Sequence, residues 1–142
     1  METPDVVKIN TEDDTINLAG KFIESLVPGD VVVLNGNLGA GKTFFIKNAL
    51  KVLGIYNVNS PTFAIVNEYK GKYKIYHFDF YRINEVEELY DIGFNDYLND
   101  SEAITFIEWG NMMPQVLPHK RIEINIKIND DFTRKFEFAK YD

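Results

Sequence analysis

Val31-Val32-Val33-Leu34-Asn35-Gly36-Asn37-Leu38-Gly39-Ala40-Gly41-Lys42-Thr43 is the stretch on which the reading of this chain turns. With Asp30 before it, the opening run is short, aliphatic and rich in Val, so Asp30 to Asn35 reads as a buried strand. From Gly36 to Thr43 the residues then satisfy G-x-x-x-x-G-K-[ST] in full. Each position has a physical reason. Successive backbone N–H groups must line one concavity to hold a β-phosphate, and side chains at the glycine positions would obstruct that wrapping. The helix that follows turns its positive end toward the same anion. Lys42 supplies a mobile, exposed charge for the β- and γ-phosphates, and the Thr43 hydroxyl is a ligand for Mg²⁺. Asn37, Leu38, Gly39, Ala40, Gly41, Lys42 and Thr43 are therefore the residues expected to hold a Mg²⁺–nucleotide.

Outward from that loop the pattern alternates. Lys42 to Leu53 reads as a helix stopped by Gly54. On the N-terminal side, Val6 to Asn10 reads as a short strand. Thr11 with Asp14 forms a capping box for a helix that Pro28-Gly29 closes. Phe63 to Tyr69 and Tyr73 to Phe80 form a hairpin around Lys70-Gly71-Lys72. A short helix over Glu85 to Tyr90 follows, then a buried strand over Ala103 to Glu108. Arg121 to Asn129 and Phe132 to Lys140 alternate apolar and polar residues as a second antiparallel hairpin. Helices interleaved with buried strands and hairpins predict an α/β fold, a P-loop NTPase-like three-layer architecture with a mixed, partly antiparallel sheet. At 142 residues, with no internal repeat or linker, positions 1–142 read as one domain.

Composition narrows the classes. There is no Cys, which excludes disulfides, thiolate-bound zinc and a thiol nucleophile. The first residues are acidic, so no signal peptide is expected, and no apolar run approaches the roughly 20 residues of a membrane span. A cytoplasmic protein with no membrane partner is expected. The net charge is −7, and seven acids lie between Asn84 and Glu102 without one Lys or Arg. Such a segment repels a phosphate backbone, so neither DNA nor direct tRNA binding is expected; it is either a solvated face or a docking face for a basic partner.

Two carboxylates are placed to serve a metal. Glu108 ends the apolar run Ala103-Ile104-Thr105-Phe106-Ile107, the pattern of a magnesium-binding strand. In Ile75-Tyr76-His77-Phe78-Asp79-Phe80-Tyr81, period-two alternation sets Tyr76, Phe78 and Phe80 on one face and Ile75, His77 and Asp79 on the other. Residue order alone leaves open which acid touches the metal and which orients water; Glu108, with Thr43, is the preferred ligand. His77 reads as a packed, hydrogen-bonded residue. Ser60-Pro61-Thr62 is either an ordinary turn or a switch segment whose hydroxyl reaches Mg²⁺ or the γ-phosphate.

Asn35 to Thr43, Asn59-Ser60-Pro61-Thr62-Phe63, His77-Phe78-Asp79-Phe80-Tyr81-Arg82 and Ile107-Glu108-Trp109, in that order and spacing, resemble the TsaE family, and the resemblance runs over nearly the whole chain. It implies an ATPase of tRNA threonylcarbamoyladenosine synthesis, with ATP and Mg²⁺ as ligands and TsaB- and TsaD-like proteins as partners. tRNA would be reached only indirectly. It further implies catalytic roles for Lys42, Thr62, Asp79 and Glu108, an approach of the segment around Thr11 to the base, and Trp109 at the site's rim. Two departures stand out. Asn37 replaces an Asp common in the loop, and Gly110-Asn111 follows Trp109 where the family often carries another acid.

Other functions compete. A small-molecule kinase of the same fold recruits several Arg and a lid, whereas this chain has only Arg82, Arg121 and Arg134. A GTPase would carry Asn-Lys-x-Asp, which is absent. A nucleotide-gated adaptor without significant turnover shares every sequence feature with the ATPase and differs only in a turnover assay.

Overall fold

A computed structural model describes residues 6–61 and 64–142 of the chain. The Val-rich run becomes β2 (Val31–Asn35), buried along its whole length. Before it come β1 (Val6–Ile9) and α1 (Glu12–Glu24); after it come α2 (Lys42–Lys51), β3 (Val66–Lys70) and β4 (Lys74–Asp79). Two short helices follow, α3 (Glu87–Asp91) and α4 (Phe94–Leu98), then β5 (Ala103–Glu108). Two 3₁₀ turns lead to β6 (Arg121–Ile128) and β7 (Arg134–Tyr141). α4 and the two 3₁₀ turns were not anticipated, because segments this short have too few apolar positions to show a helical period.

The seven strands form one sheet in the order β1-β7-β6-β2-β5-β4-β3. β2 runs parallel to both β5 and β6, and β4 runs parallel to β5. The outer pairs β3–β4, β6–β7 and β1–β7 are antiparallel. This is a mixed α/β fold. Alternation along the strands sorts side chains into two cores. Val32 and Leu34 of β2, Ile104 and Phe106 of β5 and Phe136 and Phe138 of β7 pack under α1 and α2. Val31, Val33, Phe78 and Ile107 pack on the opposite face against Leu89 and Phe94 of α3 and α4. The capping box on α1 forms as the sequence indicates: Thr11 Oγ1 accepts from the Asp14 N–H at 3.2 Å, and Asp14 Oδ2 accepts from the Thr11 N–H.

The acidic stretch is partly committed to the fold. Glu88 accepts from the N–H groups of Asn84 and Glu85, and Asp100 accepts from Lys74 Nζ at 2.9 Å and from the Tyr76 hydroxyl. Glu85, Glu87, Asp91, Asp96 and Glu102 remain exposed.

Phe78 is fully buried and meets Phe94 and Tyr97 edge-on at centroid distances of 5.0 and 5.3 Å. It ties β4 to α4. Phe78→Ala deletes that contact and leaves a cavity, so chemical denaturation should show a loss of about 3–5 kcal/mol. A loss below about 1 kcal/mol would mean that α4 does not need this anchor.

Candidate functional site

The parallel strands end on one side of the sheet, and the loop from Gly36 to Gly41 leaves β2 there. Its conformation explains two of its glycines. Gly39 and Gly41 have φ of 80° and 109°, the left-handed region that side chains disfavour. Gly36 is constrained by space instead, since a Cβ there would stand 2.8 Å from the Ile126 carbonyl. The loop delivers the chain into α2, whose first residues are Lys42 and Thr43.

Strand parity brings the acids to the same place. Ile104 and Phe106 face α2, so Glu108, two residues on, faces it too; Ile75 does the same for His77 and Asp79. The β4–β5 register sets Asp79 opposite Glu108. Glu108 is buried, at 3% exposure. Its Oε1 accepts from the Thr43 hydroxyl at 2.9 Å, and its Oε2 accepts from His77 Nε2 at 2.6 Å. The Ser60 hydroxyl lies 2.6 Å from that of Thr43 and 3.4 Å from Glu108 Oε2. Ser60 is held in turn by its neighbour: the Asn59 carbonyl accepts from the Tyr69 hydroxyl and the Asn67 amide of β3. Asp79 is less enclosed, and its Oδ1 accepts from the Tyr81 N–H at 2.9 Å.

Lys42 departs from expectation. It is not an exposed charge but is 5% exposed, because the ammonium folds back into its own loop. Nζ donates to the carbonyls of Gly36 and Asn37 at 2.6 and 3.1 Å and stands 4.2 Å from the centre of the Trp109 ring. Trp109 reaches that position because its backbone leaves β5 in the left-handed region, at φ 60°. Tyr81 packs on its ring at 4.9 Å. Burial pulls the Lys42 ammonium below its ordinary pKa, against the opposing pull of the Glu108 and Asp79 carboxylates. Burial likewise pushes the Asp79 carboxyl up; the Tyr81 N–H resists the rise and the Glu108 charge adds to it.

A cavity of about 530 Å³ opens over these groups, lined by the loop from Leu38 to Thr43, by Ser60, Asp79, Glu108 and Trp109, and by Arg134. Two of the expected binding residues, Thr11 and Asn37, do not line this cavity. The Thr11 hydroxyl is spent on capping α1, which lines the cavity with Glu12 and Thr15 instead. Asn37 lines a second, amide-rich cavity behind the loop with Asn35 and Asn125. Thr62 lies outside the described residues, and the switch segment is represented at the site by Ser60. Arg134 was missed by the sequence reading. It opens β7 with the parity of Phe136, which turns it toward the loop, where its Nη2 donates to the Gly39 carbonyl at 3.3 Å. Its place within the alternating run Phe132 to Lys140 gave its parity with Phe136, but not the direction of that face.

Comparison with known proteins decides the family. A family model described as "Threonylcarbamoyl adenosine biosynthesis protein TsaE" matches residues 9–136. The chain belongs to the TsaE family. It is 43% identical over 135 residues to the tRNA threonylcarbamoyladenosine biosynthesis protein TsaE of Rickettsia typhi, covering 93% of this chain and 92% of the relative. It is 45% identical over 131 residues to the TsaE of Haemophilus influenzae, covering 87% and 82%. Among solved structures, that of Bacillus subtilis YdiB superposes with a TM-score of 0.80 at 30% identity, covering 96% of this chain and 85% of that one. In this TsaE chain the residue blocks that carried the resemblance are the ones that meet around Glu108.

The raised Asp79 pKa has a consequence for stability. The folded chain favours the protonated acid more than the unfolded chain does, so ionisation costs native stability. That cost is fully present above the folded pKa and disappears as pH falls below the unfolded value of about 3.9. Asp79→Asn keeps the acceptor for Tyr81 and removes the charge. Its melting temperature should exceed that of the native chain at pH 7, and the two should converge as the pH is lowered toward 4. Equal melting at pH 7 would show that Asp79 is not destabilised by its surroundings.

Proposed function

We propose that this TsaE-family chain is a P-loop ATPase of the cytoplasm, whose Mg²⁺-dependent hydrolysis of ATP is coupled to TsaB- and TsaD-like proteins that form threonylcarbamoyladenosine in tRNA. The observation that carries the reading is the hydrogen bond between Thr43 at the start of α2 and Glu108 at the end of β5. It joins the two halves of a Mg²⁺–nucleotide site across the glycine loop.

The residues present fit that ligand. Thr43, Ser60 and Glu108 converge as oxygen donors, the set a hard cation prefers. Among the described residues no cluster of three His, Cys, Asp or Glu forms an all-protein cage. Mg²⁺ needs none, because it is held by one or two protein groups together with the phosphates. When bound, the cation would neutralise charge that develops on the phosphates and leaving oxygen.

Each residue then has a task. The backbone amides from Asn37 to Gly41 and the N-terminus of α2 hold the phosphates. Lys42 exchanges its two carbonyl partners for phosphate oxygens, an exchange favoured because charge-assisted bonds to an anion are the stronger ones. Thr43 and Glu108 ligate the cation. Asp79, on the neighbouring strand at the level of Glu108, orients the attacking water, and Thr62, outside the described residues, keeps the catalytic role that the family resemblance implies. Arg134 brings a second cation to the loop. Glu12 and Thr15 border the part of the cavity left for the base. The described helices include none long and apolar enough to cross a membrane.

tRNA is reached through protein contacts. Lys70, Lys72 and Lys74 cluster on one hairpin, but Lys74 is already paired with Asp100. The remaining charges would not hold a large RNA at physiological salt. The exposed acids Glu85, Glu87 and Asp91 offer a basic partner a docking face.

Hydrolysis of ATP by the purified chain, alone and with TsaB- and TsaD-like partners, tests the reading; turnover should rise with the partners. Lys42→Ala should abolish turnover while the chain stays folded. Mg·ADP at about 100 times its dissociation constant should add roughly 2.7 kcal/mol of stability, read as a higher melting temperature. GTP should shift it less. No turnover in any mixture, together with no nucleotide-dependent shift, would refute the assignment.

A further inference from the structure

We infer that His77 is a positioning residue, whose ring fixes the Glu108 carboxylate in the orientation in which it receives a divalent cation. The inference rests on the Mg²⁺–nucleotide reading of the site and adds to it a residue that does not itself touch the ligand.

His77 lies in the middle of β4 and is 0% exposed. A polar ring that deep in a sheet is costly unless it is hydrogen-bonded. Its bond is to Glu108 Oε2, at 2.6 Å. A carboxylate oxygen only accepts, so Nε2 carries the hydrogen. The other ring nitrogen, Nδ1, is buried and has no hydrogen-bond partner among the described residues. Glu108 is therefore the only hydrogen-bond partner of the ring among the described residues.

The donors around Glu108 are not equivalent. Thr43 and Ser60 approach it with hydroxyl oxygens, which are themselves ligands for a hard cation. An Nε2 that carries a hydrogen has no lone pair to give a metal. When the hydroxyls turn to a cation, His77 is the donor that stays on the carboxylate. It holds Oε2 from inside the core, while the Thr43 hydroxyl, 2.9 and 3.0 Å from the two carboxylate oxygens, marks the side of the carboxylate that faces the start of α2. Groups behind a metal ligand commonly act this way, and their loss costs about 10- to 100-fold in metal affinity.

The test separates positioning from packing. Mn²⁺ binding in the presence of ADP is measured by electron paramagnetic resonance, and ADP binding without metal is measured in EDTA. Both are done on the native chain, His77→Leu and His77→Gln, with melting temperatures alongside. Leu removes the donor, whereas Gln carries an amide N–H to about the place of Nε2. His77→Leu should weaken Mn²⁺ binding by about 10- to 100-fold and leave metal-free ADP binding within about threefold of native. His77→Gln should restore Mn²⁺ binding to within about threefold of native. Native Mn²⁺ affinity in His77→Leu would overturn the role of His77. So would equal damage in both variants that extends to metal-free ADP binding, since that is the signature of a merely structural residue. A native chain that binds no Mn²⁺ with ADP would overturn the nucleotide reading itself, and the role of His77 with it.

Discussion

A carboxylate taken out of water must be surrounded by donors, and in this chain that requirement falls on Glu108. Its partners come from separate parts of the sequence: Thr43 from the start of α2, His77 from β4 and Ser60 from the segment before β3. None of these approaches is local. Each depends on the register of the parallel strands and on the loop that leaves β2. An unpaired ion in the same place would cost several kcal/mol, so the fold and the carboxylate specify one another.

The same reasoning explains the opposite charge. Lys42 is buried beside two acids, and its ammonium is saturated by carbonyls of its own loop and by the face of Trp109. Those interactions are weaker than a bond to an anion, and all lie within a side chain's reach of the cavity. The left-handed backbone at Trp109 is a local cost of the kind that accumulates at functional sites, because it sets the indole over the lysine. Tyr81 links this group to Asp79, through its ring to Trp109 and through its N–H to the carboxylate. Cation, aromatic pair and second acid thus form one packed unit on the rim.

Much of this was legible in the sequence, for identifiable reasons. β2, β5 and the glycine loop were read correctly because short apolar runs and left-handed glycines leave local signatures. Parity alone put His77 and Asp79 on one face, and the structure turns that face toward Glu108. What could not be read came from long-range geometry. Nothing near residue 134 says that β7 will lie beside β1 and aim Arg134 at the loop. Nothing in Gly41-Lys42-Thr43 shows that the lysine will be buried. α4 escaped because a helix of five residues is too short to display a period, and is stabilised by the packing of Phe94 rather than by its own propensity.

The pairing of β1 with β7 joins segments from opposite ends of the described chain, and β2 lies between two strands, β5 and β6, that follow it by some 70 to 90 residues. Contacts of that sequence separation are slow to form, since each closes a long loop before it is rewarded. During synthesis from the N-terminus, β1 and β2 emerge well before any of their neighbours. The glycine loop therefore has no flanking β6 to pack against, and β1 no partner at all, until the final hairpin has left the ribosome. A half-made chain would expose the bare edges of its most aliphatic strand, a period in which association with other chains or with a chaperone competes with folding.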